Sequence, residues 1–174
     1  VLTVTNIQDA DENLAVNPGT TSANGSVIHG KYGTLTIGAN GSYNYVVDSG
    51  NQAVQELGEG ETLVDNAFTY TVTDGLITET ATLTITVFGT NSAPVANADT
   101  NWAIEGTTDA TGNVLQTLPH NGAPSSGTFS DQADTDVDVN DTLAVINIQS
   151  SSEDLPVAPG TNSSNGTVID GVYG

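Results

Sequence analysis

Two stretches of this 174-residue chain are versions of one another. Residues 2–33, LTVTNIQDADENLAVNPGTTSANGSVIHGKYG, align without a gap on residues 143–174, LAVINIQSSSEDLPVAPGTNSSNGTVIDGVYG, with 19 of 32 positions identical at an offset of 141. Self-similarity of that length marks tandem architecture, in which each repeat is one structural unit. The second copy stops at Gly174, where the first continues into GTLTIGANGSYNYVV. The chain therefore reads as the later two-thirds of one repeat, residues 1–92, followed by the opening of the next, residues 93–174. A reassembled repeat runs from about Ala93 through Thr142 and continues as residues 2–92 do. The chain opens on Val1 with neither an initiating Met nor a basic-then-apolar leader, which reads as an internal segment of a longer polypeptide.

Local patterning is β throughout. Phe68, Tyr70 and Val72 alternate with Thr69, Thr71 and Thr73, and beyond Asp74-Gly75 the alternation resumes with Ala81, Leu83, Ile85 and Val87 against Thr82, Thr84 and Thr86. That pattern predicts a hairpin with its apolar face inward and β-branched Thr on the wet face. A second hairpin is predicted where residues 34–37 (TLTI) and 43–46 (YNYV) flank Asn40-Gly41. Further strands are expected over 2–8, 101–106, 112–117 and 143–149, at least seven short strands per reassembled repeat, a count that suits a two-sheet sandwich. Residues 51–57 (NQAVQEL) suit a helical turn or two, and 119–130, rich in Gly, Pro and Ser, read as a loop inserted between strands.

The charge is one-sided. Lys31 is the only basic residue besides two histidines, against 21 Asp and Glu, for a formal charge of −20. Nucleic acid and anionic membrane both require clustered positive charge and are excluded as partners. Without cysteine there is no disulfide, thiolate zinc site or cysteine nucleophile. The apolar runs are too short to span a bilayer as a helix. With 36% apolar residues the chain is still able to bury a core.

Chemistry concentrates between Asp131 and Asp141, where DQADTDVDVND places five aspartates in eleven residues. Two carboxylates ~4 Å apart repel by ~4 kcal/mol at an effective dielectric of ~20, so a loop that folds back on itself needs a counter-charge. Ca²⁺ takes six to eight hard oxygen ligands in forgiving geometry, and the alternation of Asp134, Asp136 and Asp138, with Asp141 following, lets side chains and intervening carbonyls wrap one ion. The competing reading is a solvated acidic loop extended by its own repulsion. The stretch is not an EF-hand: Val139 stands where that loop needs Gly, and Val145 where it needs the bidentate Glu.

The order of motifs along the chain carries a resemblance. VFGTNSAPVANADT (87–100), IEGTT (104–108), GNVL (112–115), DTDVDVNDTL (134–143), YGTLTIGANGSYNY (32–45) and FTYTVTDG (68–75) resemble the cadherin-like and VCBS-type immunoglobulin repeats of giant bacterial, RTX-type surface adhesins. The resemblance covers nearly all of the chain. It implies an all-β fold of Greek-key β-sandwiches in tandem, exported to the cell surface, stiffened by Ca²⁺ at or near the junctions, and serving attachment and biofilm formation. Carried over residue by residue, it matches Asp134 and Asp136 to the D-x-D loop, Asp74 to the acid of the turn between the last two strands, Glu105 to the acid on the first strand, and Asn91 to the linker that supplies ligands. The chain departs from the pattern at Ser92, where Asp before Ala-Pro is usual, and at Val139, where Gly usually follows the third Asp.

The expected function is that of a non-enzymatic, calcium-rigidified spacer repeat of a large extracellular adhesin, its partners being adjacent repeats of the same polypeptide. An alternative follows from the phase of the repeat: residues 1–92 lack the first strands of their sandwich and 93–174 the last ones. Residues 93–142 of one molecule could then complete residues 2–92 of a neighbouring copy, giving a filament by strand complementation. Other candidates are weaker. Two histidines and one lysine offer little for a general base or nucleophile. His29 aligns with Asp170, as an exposed loop site does, and His120 falls in the Gly/Pro/Ser-rich stretch. Trp102, Tyr43, Tyr45 and Tyr70 suit core or rim packing better than a sugar platform. Asp9, Asp11 and Glu12 read as solvated surface, since the copy puts Ser150 and Ser152 at the two Asp positions.

Overall fold

The computed structural model describes residues 1–171, without the side chains of residues 66 and 67. The chain divides into two units, residues 1–92 with 137–139, and residues 93–136 with 140–174.

Unit 1 carries seven strands: β1 (Thr3–Gln8), β2 (Asn13–Ala15), β3 (Ser26–His29), β4 (Gly33–Ile37), β5 (Tyr43–Val47), β6 (Thr62–Thr73) and β7 (Thr78–Phe88), with one helical turn, α1 (Gln52–Gln55). They form two antiparallel sheets, ordered β2-β1-β6-β7 and β3-β4-β5. Both predicted hairpins are present. Gly75 (φ 101°) and Gly41 (φ 83°) take the left-handed backbone that their turns require and that side chains disfavour.

The alternation in sequence becomes the core. On β4, Gly33, Leu35 and Ile37 are buried while Thr34 and Thr36 are half-exposed. Ile7, Ile28, Leu35 and Phe68 are fully buried, with Val4, Val16 and Ile37 around them. Each such side chain contributes about 1.5–3 kcal/mol by leaving water. On β6 the inward parity changes once. Asp65 pairs with Ile85 and Phe68 with Leu83, so three residues of β6 span two of β7, a bulge. Before it Asp65 faces in; after it Phe68, Tyr70 and Val72 do.

β3 packs against β1 and β2, which leaves β5 and β7 as the other margin of the two sheets. There the layers part over a cleft lined by Leu2, Ile37, Tyr43, Tyr70, Val72 and Leu83. Tyr43, on the same face of β5 as Tyr45, remains half-exposed because no strand covers that edge within the unit.

Unit 2 holds two short pairs, β8 (Leu118–Pro119) with β9 (Ser130–Asp131), and β10 (Asn147–Gln149) with β11 (Asp154–Pro156). The strands expected over 101–106 and 112–117 do not form; only the isolated bridge Ile104↔Thr108 falls there. A strand needs a neighbour to take its backbone hydrogen bonds, and these segments have no ladder partner among the described residues.

Repeated sequence nevertheless reproduces local geometry. The β1–β2 turn is capped by Asp9 Oδ1, which accepts the N–H groups of Asp11 and Glu12; in the copy Ser150 Oγ accepts those of Ser152 and Glu153. Asp9 is thus a turn acceptor that serine can replace. Glu12 Oε2 accepts the His29 N–H, and Glu153 Oε2 that of Asp170. Asn24 accepts from Thr21 N–H, and Asn165 from Asn162 N–H. Burial is what differs: Ile7 is 0% exposed, its counterpart Ile148 39%.

Candidate functional site

The acidic stretch is divided between the units, Asp138 lying in unit 1 and the other four aspartates in unit 2. In unit 1, Asp138 is buried, 2% exposed, and its Oδ2 accepts the Ser92 N–H at 2.7 Å. Serine stands where the adhesin pattern has Asp, and its backbone is used as a donor to an aspartate instead. Asn91 Nδ2 donates to the Ser92 carbonyl at 2.7 Å. Asp74 closes the β6–β7 hairpin: Oδ1 accepts the N–H groups of Leu76 (2.8 Å) and Ile77 (2.9 Å). Those bonds, that from Ile77 foremost, hold its carboxyl below the usual carboxylate range.

In unit 2, Asp134 Oδ1 accepts the Asn97 N–H at 2.7 Å, while Asn97 Nδ2 reaches the Ala133 carbonyl. Beside this pair Val95 and Thr135 exchange backbone hydrogen bonds at 2.7 and 3.0 Å, which anchors the start of the acidic run. Asp136 is half-exposed and Asp141 exposed. Glu105 is exposed on the turn bridged by Ile104 and Thr108. Among the described residues no three His, Asp or Glu side chains converge as a metal-holding group. The donors are hard oxygens, the chemistry Ca²⁺ selects.

Two further buried carboxylates, Asp65 and Asp131, hold bonds that no local sequence pattern reveals. Asp65 is 1% exposed in unit 1; Tyr45 Oη donates to its Oδ2 at 2.8 Å and the Tyr32 N–H at 3.2 Å. Burial, together with this bonded carboxylate, pushes the Tyr45 phenol pKa up. Gly30 lies so close that a Cβ there would fall 2.3 Å from Asp65 Oδ2. The only hint in the sequence is an acid inside the apolar run TLVDNAF.

The second is Asp131, opening the acidic stretch. His120 Nε2 lies 2.8 Å from Asp131 Oδ1, and the Asn113 N–H donates to Oδ2 at 2.6 Å. These partners, His120 first, lower the Asp131 pKa. Both side chains are largely buried, 11% and 5% exposed. Trp102 Nε1 donates to the His120 carbonyl at 3.1 Å, and the His120 N–H to the Phe129 carbonyl. His120 is therefore fixed at the base of the loop rather than carried in a flexible stretch, because a carboxylate eleven residues on bonds its ring.

A family model described as the bacterial cadherin-like domain matches residues 1–89, just over half of the chain. The chain belongs to that family. The all-β, two-sheet form of unit 1 agrees with the assignment and bears out the expected cadherin-like sandwich. The bacterial cadherin-like domain is an extracellular, adhesion-type repeat, domains of the kind are generally structural or adhesive rather than catalytic, and they typically bind calcium. No curated protein and no solved structure matches the chain. No helix among the described residues is long and apolar enough to cross a membrane.

Proposed function

We propose that this cadherin-like segment is a calcium-rigidified spacer of a large bacterial surface adhesin, serving attachment or biofilm formation through domains other than itself. The observation that carries the reading is the stretch of five aspartates in eleven residues, in a chain whose one lysine lies in unit 1. Without a cation, like charges hold that stretch extended. Bound Ca²⁺ neutralises two charges per ion and restricts the chain where it binds. Asp134, Asp136, Asp138 and Asp141 are the proposed ligands, with Glu105, Asp74 and Asn91 carried over from the adhesin pattern. Asp74, Asn91, Asp134 and Asp138 also serve local hydrogen bonds, and the closeness of the four aspartates in sequence carries most of the proposal. Small-angle scattering in millimolar calcium and again after chelation tests it. The maximum dimension is expected to become better defined with calcium and to lose that definition in the Asp134→Asn, Asp136→Asn double variant; a profile indifferent to calcium refutes the reading.

A second reading is favoured by the uncovered margin of unit 1, where Tyr43 and the cleft between β5 and β7 stand open. In it, residues 93–142 of a neighbouring copy cover that margin and the chain is a filament subunit. Beaded filaments in negative-stain images would support it, and a monomer at all concentrations would exclude it.

A further inference from the structure

The sequence contains four Asn-Gly pairs, at Asn24, Asn40, Asn121 and Asn165. In such a pair the side-chain amide carbon lies within reach of the next backbone nitrogen, and no Cβ blocks the approach. What the fold does at each pair is different. Asn24 Oδ1 accepts the Thr21 N–H at 2.8 Å, and Asn165 Oδ1 the Asn162 N–H at 2.8 Å. Asn40 Oδ1 accepts both the N–H and the hydroxyl of Ser42, and the Gly41 nitrogen is committed to the Gly38 carbonyl at 2.9 Å. Three amides are thus held in place, in each case as acceptors that shape a turn.

Asn121 is the exception. It is exposed, its amide has no hydrogen-bond partner among the described residues, and the Gly122 nitrogen donates to none. Gly122 sits at φ +90°, a conformation side chains rarely adopt. The loop from 121 to 128 forms no backbone hydrogen bond of its own; its ends are held by the His120–Phe129 bond and by β8–β9.

We infer that Asn121 is a site of spontaneous deamidation. The deprotonated Gly122 nitrogen attacks Cγ of Asn121, a C–N bond forms, and the side-chain nitrogen leaves as ammonia. Water then opens the succinimide at either carbonyl, giving aspartate or isoaspartate at position 121 with no change of oxidation state. The formal charge moves from −20 to −21, and the new carboxylate lies next in sequence to His120, whose ring bonds Asp131. The isoaspartyl product also adds a methylene to the backbone beside the carbonyl that holds the Trp102 indole.

The test ages the intact protein in mildly alkaline buffer and follows it by mass spectrometry after digestion with a protease that cuts before aspartate. A gain of about 1 Da is expected first in the peptide carrying Asn121. New cleavage at 121 marks the aspartyl product, and uncut heavy peptide marks the isoaspartyl one. Each hydrogen bond that must open first slows its site by roughly fivefold, so Asn121 should lead the other three by at least about that factor. The same ageing in concentrated urea, where no turn is held, should abolish the lead, and Asn121→Ser should abolish the gain at that peptide. Earlier reaction at Asn24, Asn40 or Asn165 in the native protein overturns the inference, as does a lead for Asn121 that persists unchanged in urea.

Discussion

Ile7 and Ile148 occupy the same position in two copies of one sequence, within strand pairs of the same register, yet one is 0% and the other 39% exposed. Truncating each to alanine separates what local sequence dictates from what the sandwich adds. Ile7→Ala removes atoms from a site enclosed by Phe68, Leu35 and Ile28 and leaves a cavity, at a cost of about 3 kcal/mol. Ile148→Ala removes a partly wetted side chain, and solvent fills the gap, at a cost of about 1 kcal/mol or less. With a urea dependence of ~1.5 kcal/mol per molar, the midpoints should fall by about 2 M and by well under 1 M. The probes separate the units: Trp102, the only tryptophan, lies in unit 2 and reports it by fluorescence, while the strand signal in far-ultraviolet circular dichroism is dominated by unit 1. Each transition is fitted by itself, since two units need not unfold as one. A Trp102 transition moved by Ile148→Ala as far as Ile7→Ala moves the dichroism transition would refute the reasoning, because burial would then not be what distinguishes the copies.

Gly30→Ala should cost about 2–3 kcal/mol in unit 1, since its Cβ would meet Asp65 Oδ2 and Phe68 Cζ; Gly19→Ala, at φ 79° with nothing within 4 Å, should cost about 1 kcal/mol by urea titration. Equal costs would remove the close approach as the reason for Gly30. In unit 2, Asp131 is held below its ordinary pKa. Its stabilisation is therefore present above the unfolded carboxylate value and is lost as pH falls through the lowered one. Trp102 fluorescence should change in that acid range, and Asp131→Asn should abolish the change while leaving the unit 1 dichroism signal in place.

How much of this was legible depended on whether a residue's neighbours were close in sequence. The β4–β5 and β6–β7 hairpins, the roles of Asn40-Gly41 and Asp74-Gly75 at their tips and the helical turn α1 are written in contiguous residues. Asp65 was not, because its partners Tyr32 and Tyr45 lie 33 and 20 positions away. The bulge on β6 also reverses the alternation by which an inward residue is recognised. The His120–Asp131 pair escaped for a different reason: a Gly- and Pro-rich surround reads as loose chain, although its two ends are clamped. The segments 101–106 and 112–117 have the composition of strands and lack only partners, which no local pattern supplies. In the acidic stretch the composition was plain, but two of its five members, Asp131 and Asp138, turned out to be buried.

The chain offers a trypsin-like protease a single target, the bond after Lys31. That bond sits in a turn held on three sides: Gly30 N–H closes on the Gly33 carbonyl, Asn51 Nδ2 holds the Lys31 carbonyl, and the Tyr32 N–H is bound to buried Asp65. Cleavage requires an extended substrate, so this segment must be pulled away from its carboxylate before it is cut. The cradle around Asp65 therefore doubles as armour, and the rate of nicking at Lys31 measures how often unit 1 opens.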